Sequence, residues 1–467
     1  MLALAGGVGR VEFNRDVFDR AVREVFARGG FSPDMLADPA VRPLVEETYN
    51  ALNRAVDTAI NTETPPELTA ALQNNAFIFS GFKTYHSLSE VGLALTDADG
   101  HVKPFDTFRK DVEAIDARYN TNYLYAEYNH AVHTSQMAVK WHDFVADGDR
   151  YNLQYRTAGD ERVRSEHAAL DNITLPPSDP FWRDYLPPNG WNCRCDVDQV
   201  LRDDYPMSDP ETAKAAGDAC TDEPKARMFR YNAGREMTLF PKKHPYLPKG
   251  CGSCDGRLNL AYDPKREQCR VCRVVHEQQR RVEAKRLYDR LSKDSKYLGV
   301  EYDPVSGGMT AAHVGHNTTS NNAQVLRWGM TGAALENEVQ RLLFQSGHSA
   351  ILCDESKKKK GRTLPALDMQ LDGVMMDIRS ITSKKRHYGS ALRDKNKQLA
   401  RYNARSDVRI AADTVCLYFH DGSMYHPSKI TNGVKWLKRQ TRHLQVKHIV
   451  CVVRKEDGSA DIRLHDV

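Results

Sequence analysis

The chain has 467 residues, which is too long for one ordinary hydrophobic core and predicts several domains. Hydrophobic residues make up 40% of it, so a wholly disordered chain is excluded. Residues 331–467 carry 25 Lys and Arg against 15 Asp and Glu, whereas the other residues carry 41 against 47. The basic C-terminal segment predicts contact with a polyanion, and a merely solvated basic surface is the alternative.

Several classes of protein are disfavoured by simple patterns. No run of 18 apolar residues occurs, so no membrane span is predicted. The start "MLALAGGVGRVEF" lacks the basic beginning and the long apolar stretch of a secretory signal, which favours folding in a cytoplasm. The chain has ten cysteines, and four of them form two CxxC pairs. In a reducing compartment such pairs favour metal binding over disulfides.

The N-terminal part is predicted to be mainly helical. Apolar residues recur at three- and four-residue spacing within 11–62, and residues 75–95 and 105–145 continue this pattern. Residues 150–200 are instead dense in proline, aromatic and charged residues, which predicts a compact, loop-rich α+β unit. Polar residues of this stretch could form a catalytic cluster. An ion-paired scaffold is favoured, because the sequence shows no pairing of a nucleophile with a base. They are Asp160, Arg162, Arg164, His167, Cys193 and Cys195.

The same stretch resembles a known family. "YRTAGD", Val163-Arg164, His167, "PPSDPFW" and "PPNGWNCRC" are similar to the Mu F-like minor head (head morphogenesis) proteins of tailed phages. The resemblance covers about residues 10–205 and implies a head-protein domain over 1–215 that acts near the portal. It implies no catalytic residues.

The next segment has the spacing of a zinc site. "CGSCDGRLNLAYDPKREQCRVC" is a CxxC pair, fourteen residues and a second CxxC pair. Two residues between thiolates let both sulfurs reach one ion, so Cys251, Cys254, Cys269 and Cys272 are predicted to hold a structural Zn²⁺. Unpaired buried thiols or disulfides are the alternatives. We expect a zinc-binding linker with a charged helix over 216–295.

Residues 296–330 are predicted to be a junction loop. His313 and His316 stand three apart there and could bind metal, but a polar junction is favoured. From 331 the periodicity changes, and the predicted element order is αβββαβαβ over 331–467. The basic segment "SKKRH" at 383–387 could contact phosphate or simply be solvated.

The stretch "LDMQLDGVMMDIRS" predicts a β-hairpin, since Asp372-Gly373 favours a two-residue turn. Pairing across that turn gives one apolar face and sets Asp368 opposite Asp377 on the other, with Arg379 on the same side. Facing carboxylates repel each other unless a cation or a proton lies between them. We therefore predict a catalytic Mg²⁺ or other divalent metal, which activates water and neutralises a phosphodiester; two solvent-facing acids are the alternative.

This arrangement resembles the PD-(D/E)xK superfamily of restriction-endonuclease-like proteins, whose core is αβββαβ. The resemblance implies that Asp368 and Asp377 are the two motif acids and that Glu336 is the acid of the first helix, with Glu338 as its rival. Arg379 stands where the family has lysine. This is a departure, because arginine stays charged and cannot act as a base.

The C-terminal segment also looks like the tRNase toxin tips of contact-dependent inhibition proteins. Gln398 and Tyr402 lie at i and i+4 in "QLARY", which resembles the Q-x-x-x-Y element of some of these nucleases; an ordinary surface pair is the alternative. Their implied role is to position substrate. The implied substrate is tRNA, with DNA less favoured.

Together these patterns predict a multidomain phage head protein with a zinc-binding linker and a C-terminal metal-dependent nuclease toxin. Its expected partners are portal and capsid proteins, nucleic acid and a cognate immunity protein. It is expected in the virion and in the cytoplasm of the bacterial host. The rivals are a purely structural head protein with an inactive tail, and a DNA nuclease used in DNA processing or packaging.

Overall fold

The chain forms two compact units, Met1–Gly250 and Cys251–Val467. None of the described helices is long and apolar enough to cross a membrane. The computed structural model describes residues 11–247, 267–316, 330–359, 362–383, 385–408 and 411–467.

The first unit begins with helices, which confirms the prediction for this part of the chain. They are α1 (Arg15–Ala27), α2 (Arg42–Asp57), α3 (Pro66–Leu93), α4 (Phe105–Asp116) and α5 (Leu124–Asp147), and a π-helical segment, Ala117–Tyr123, joins the last two. Asn14 caps α1, since its side chain accepts a hydrogen bond from the backbone N–H of Asp16 at 3.0 Å. The helices bury a core that includes Phe77 and Phe79.

A small antiparallel sheet follows, so the loop-rich segment has more regular structure than its composition predicts. Its strands are β1 (Tyr151–Arg156), β2 (Thr174–Leu175) and β3 (Asp196–Leu201), in the order β2-β1-β3. Short helices surround it: α6 (Ser165–Ala168), α7 (Phe181–Tyr185), α8 (Pro210–Cys220) and α9 (Ala233–Glu236). Trp182 is fully buried beside this sheet, and its indole N–H donates to the carbonyl of Leu175.

Residues 216–247, which we assigned to the linker, belong to the first unit. The ring of Phe240 stacks on that of Phe79 with centroids 3.7 Å apart. The backbone N–H of Phe240 also donates to Oδ1 of Asn75 at 2.8 Å. These contacts join residues far apart in sequence, so local composition cannot reveal them.

The second unit is built on a mixed eight-stranded sheet with the order β13-β12-β11-β10-β9-β6-β5-β4. Its strands are β4 (Tyr297–Tyr302), β5 (Met309–His313), β6 (Ser349–Leu352), β9 (Met369–Leu371), β10 (Val374–Ser380), β11 (Thr414–Phe419), β12 (His448–Arg454) and β13 (Ala460–Asp466). The pairs β5–β6, β10–β11 and β11–β12 are parallel. A separate short hairpin joins β7 (Lys358–Lys359) and β8 (Arg362–Thr363).

Helices cover both faces of this sheet. They are α10 (Glu267–Leu291), α11 (Gly332–Gln345), α12 (Gly389–Asn403) and α13 (Pro427–Gln440). One core cluster joins α11 to Met376 and Ile378, and another joins α12 and α13 to Val415 and Leu417. The predicted order αβββαβαβ is present, with β7, β8 and β13 in addition.

The predicted junction loop over 296–330 differs from the structure. Its first part forms β4 and β5, and β5 pairs with β6 in parallel, with Met309 opposite Ser349. Met309 and Ala311 are buried in a cluster with Ala284 of α10. The inward-facing residues of β5 are few and partly small, so its alternation is too weak to recognise from sequence.

The hairpin at Asp372-Gly373 has the predicted turn and register. Both residues have positive φ, 45° and 82°, as a two-residue turn of this kind requires. Val374 pairs with Leu371, and Met376 with Met369. Leu367 is the exception to the predicted apolar face: it precedes β9 and packs in the cluster on the other side of the sheet.

Candidate functional site

Two aspartates meet beside the hairpin, as the register predicts. Asp377 lies in β10 between two residues that face α11, so its own side chain points to the opposite face, and it is fully buried. Asp368 stands just before β9, and its Oδ2 accepts a hydrogen bond from the backbone N–H of Ile378 at 2.7 Å. Burial raises the pKa of Asp377 well above its usual value, and the charge of Asp368 raises it further.

Lys395 of α12 lies beside the two aspartates, and the sequence patterns did not predict it. Nζ of Lys395 lies 2.8 Å from Oδ2 of Asp377 and 3.9 Å from Oδ2 of Asp368. Nε2 of Gln398 donates to Oδ1 of Asp377 at 3.1 Å, and Nζ of Lys395 lies 3.3 Å from Oε1 of Gln398. The available signal was the three-residue spacing of Lys395 and Gln398, which places both on one helix face.

Glu336 brings a third carboxylate to the site. It lies on α11, and its pKa is raised to about 7 by burial and then by the charge of Asp368. The charges of His316 and Lys395 act in the opposite direction. The rival acid Glu338 lies elsewhere, with 2.8 Å between its Oε2 and Nδ1 of His420 and 3.1 Å between its Oε1 and Nε of Arg454.

His316 and Glu355 extend the cluster. Nδ1 of His316 lies 2.9 Å from Oε1 of Glu355, and its Nε2 lies 3.6 Å from Oε2 of Glu336. Burial lowers the pKa of His316, but the hydrogen bond and charge of Glu355 outweigh it, and the pKa is raised. The three side chains are close enough to hold one metal ion. His316 therefore belongs to this cluster, whereas we favoured a polar junction.

The fold brings these residues together at one edge of the sheet. Residue 316 follows β5 and residue 355 follows β6, and these strands are parallel, so both residues lie beyond the same edge. Because β9 is antiparallel to β6, its beginning, next to Asp368, reaches that edge too. Strand ends of this kind commonly carry binding residues.

Arg379 and Tyr402 have different surroundings from the acid cluster. Arg379 lies two residues beyond Asp377 in β10, opposite Leu417, and its side chain is exposed. Tyr402 lies one turn beyond Gln398, is half-buried against the core under α12, and meets the guanidinium of Arg405 with 5.3 Å between the guanidinium carbon and the ring centre.

The cysteines of the predicted zinc site are described only in part. Cys269 and Cys272 lie in the first turns of α10. Cys251 and Cys254 lie outside the described residues, so the four-cysteine site stays a prediction.

The donors of the acid cluster fit a divalent cation. Four carboxylates, those of Glu336, Glu355, Asp368 and Asp377, converge with one imidazole and one ammonium group. Burial and like charges raise the pKa of Glu336 and of Asp377, as expected where carboxyl groups are buried near one another. Carboxylate oxygens are the donors that Mg²⁺ and Mn²⁺ prefer.

One family model matches residues of the first unit, and two curated proteins match part of the chain. Residues 95–198 match the family model described as "Phage Mu protein F like protein". The chain is 30% identical over 147 residues to the putative capsid assembly protein F of Escherichia phage Mu, which covers 29% of this chain and 30% of that protein. It is 40% identical over 47 residues to the Mu-like prophage FluMu F protein of Haemophilus influenzae, covering 10% and 11%.

These matches confirm the resemblance to Mu F-like phage head proteins that "PPNGWNCRC" and its neighbours predict. The chain spans less than a third of the length of these curated relatives. No solved structure matches it significantly.

Proposed function

We propose that this chain is a phage head morphogenesis protein, a minor capsid component, whose second unit is a metal-dependent nuclease that cleaves RNA. The match of residues 95–198 supports the first role. The buried cluster of Asp368, Asp377, Lys395 and Gln398 is the observation that carries the second. Buried acids with raised pKa values and a specific charged partner are typical of active sites.

Each residue of the cluster has a distinct role. Glu336, Asp368 and Asp377 would hold the divalent ion, and His316 with Glu355 would complete or extend its ligands. The ion, when bound, neutralises negative charge on the phosphodiester and lowers the pKa of water. Gln398 fixes the orientation of Asp377 through its hydrogen bond to Oδ1.

Lys395 takes the chemical role that Arg379 cannot. A lysine ammonium can lose and regain its proton, whereas an arginine guanidinium stays charged. Nζ of Lys395 pairs with Asp377 and lies 3.9 Å from Oδ2 of Asp368, so it can donate to a phosphate oxygen bound next to them or transfer a proton there. Arg379, exposed on the same strand, would contact the phosphate backbone of the substrate, and Tyr402 would position it.

Charge and resemblance are the two arguments that support a nucleic acid substrate. Residues 331–467 have a net charge of +10, which suits a nucleic acid backbone without choosing between RNA and DNA. The likeness to tRNase toxin tips favours tRNA. A nuclease of this kind would need a cognate immunity protein in the host cytoplasm, and the head-protein unit would carry it with the virion beside portal and capsid proteins.

The first test is cleavage by the full chain. The wild type, Asp377→Asn and the control Glu338→Gln are incubated with total tRNA and with plasmid DNA, with Mg²⁺, Mn²⁺ or Zn²⁺ and with EDTA. We expect metal-dependent cleavage of tRNA by the wild type and the control, and none by Asp377→Asn. Cleavage of plasmid alone would instead support a DNA-processing enzyme. Activity retained by a folded Asp377→Asn chain, or no cleavage by any protein, would contradict the nuclease proposal.

A second test uses the boundary of the second unit. A fragment of residues 251–467 keeps His316 and the strands β4 and β5, whereas a fragment of 325–467 lacks them. We expect the longer fragment to cleave and the shorter one to have lost its activity. Equal activity of the two would remove His316 from the site.

A further inference from the structure

A second cluster of metal-ligating side chains lies in the first unit. His167 is on α6, Cys193 and Cys195 are on the turn before β3, and Cys220 is the last residue of α8. All four are buried. They come from three segments of the chain, so their meeting results from the tertiary fold and not from one local motif.

The distances match a tetrahedral metal site. Nδ1 of His167 lies 3.6 Å from Sγ of Cys193 and 3.6 Å from Sγ of Cys195. With Zn–S bonds of about 2.3 Å and a Zn–N bond of about 2.0 Å, a tetrahedral ion would set nitrogen and sulfur about 3.6 Å apart. A neutral imidazole has at most one proton on Nδ1, so a single hydrogen bond does not explain two equal contacts.

Cys220 packs in the same buried cluster as Cys193 and Cys195. The ligand atoms of His167, Cys193 and Cys195 all lie within 4.8 Å of one another, which is close enough to hold one metal ion. A third thiol would complete a ligand set typical of a structural zinc ion.

The turn that carries the two cysteines is held in place by its neighbours. Asn192 adopts a left-handed conformation with φ 55°, which asparagine tolerates better than most residues. Arg164 donates to the carbonyl of Trp191 at 2.8 Å, and Arg194 forms a two-pronged ion pair with Asp160. The sulfurs of Cys193 and Cys195 are thus positioned before any ion binds.

The charge around the cluster also fits. Three thiolates, a neutral imidazole and Zn²⁺ carry a net charge of about −1. Arg162, Arg164 and Arg194 line the small pocket next to the cluster, together with the cysteines and His167. Cationic side chains of this kind stabilise an anionic zinc–thiolate centre.

We propose that His167, Cys193 and Cys195 form a structural zinc site in the Mu F-like unit, with Cys220 from the same buried cluster as its fourth ligand, separate from the predicted four-cysteine site. It ties α6, the turn before β3 and the end of α8 together around a small sheet. All four positions of the ion are filled by protein, so the site stabilises the fold and does not act on a substrate. The thiols must lose their protons on binding, so zinc binding releases these protons to the solvent.

The test is the zinc content of the full chain, with Cys251→Ser and Cys254→Ser present to disable the other predicted site. We expect about one zinc per chain by elemental analysis. The further double substitution Cys193→Ser and Cys195→Ser should lower it at least tenfold. The control Cys451→Ser, at a buried cysteine of β12 in the second unit, should leave it unchanged.

A second measurement does not depend on whether the chain with Cys193→Ser and Cys195→Ser folds. X-ray absorption spectroscopy at the zinc edge, on the chain with only Cys251→Ser and Cys254→Ser, should show about three sulfur ligands and one nitrogen ligand. Zinc retained without Cys193 and Cys195, or a ligand set poor in sulfur, would overturn the proposal. So would a metal-free chain, whether its mass shows free thiols at Cys193, Cys195 and Cys220 or a disulfide between Cys193 and Cys195.

Discussion

The raised pKa of Glu336 makes the stability of the second unit depend on pH. Burial and the charge of Asp368 raise this pKa from the usual 4.5 to about 7. The folded chain therefore holds this proton more tightly than the unfolded chain does. Below pH 4.5 Glu336 is protonated in both the folded and the unfolded chain, so it adds no pH dependence there. As the pH rises from 4.5 to about 7, the unfolded chain releases this proton first, and the folded state loses stability.

Glu336→Gln isolates this effect, because glutamine has the shape of the protonated acid. One pKa unit corresponds to about 1.4 kcal/mol, so a shift of about 2.5 units predicts a gain of about 3 kcal/mol for the variant above pH 7. Below pH 4.5 the two proteins should be equally stable. A divalent ion should reduce the gain at high pH, because it stabilises the ionised acid of the wild type.

The assay is chemical denaturation of the wild type and the Glu336→Gln chain at pH 4.5, 6 and 8, in EDTA and in Mg²⁺. The transition of the second unit is followed, and the first unit serves as an internal control because it lacks the substitution. A variant less stable than the wild type at pH 8 in EDTA would refute the reasoning. A gain that is the same at all three pH values would also refute it, since it could not come from ionisation.

Three further predictions test particular contacts. Lys395→Met should lower cleavage at least about a hundredfold through loss of charge stabilisation, whereas Glu338→Gln should leave the cleavage rate within about twofold; equal loss in both would contradict the site. In chemical denaturation, Lys83→Met should destabilise the first unit by about 3–5 kcal/mol, because it leaves the carboxylate of Glu127 buried without this ion-pair partner. Adding Glu127→Leu should restore most of the lost stability. Trp182→Ala should cost about 3–5 kcal/mol in the same assay, since the indole is fully buried; a loss below 1 kcal/mol would show that the cavity collapses.

The hairpin of the second unit could be predicted because its register depends on local chemistry. Asp372-Gly373 selects the turn, and strict alternation then sets Asp368 and Asp377 on one side. Helices such as α1 and α11 could also be predicted from the sequence, because their apolar stripes and capping residues lie within one short segment.

The missed features depend on contacts between distant segments. Strand β5 gains its place by pairing with β6, about 40 residues further along, and β4 pairs with β5 in turn. The alternation of both strands is weak. His316 and Glu355 meet Glu336 only because parallel strands end at one edge of the sheet. Cys193 and Cys195 likewise approach His167 from 26 and 28 residues away.

Lys395 shows why a motif read along one strand can mislead. The family pattern places the cation two residues after the second acid, and this chain has Arg379 there, which suggests an inactive site. The chemistry requires only that an ammonium nitrogen lie next to the acids, and a helix packed on the same sheet face can supply it as well as the strand can. Because α12 packs against β10, Nζ of Lys395 lies 2.8 Å from Oδ2 of Asp377, while Arg379 is exposed. The departure at Arg379 is therefore no argument against catalysis, provided that Lys395 and Asp377 act together.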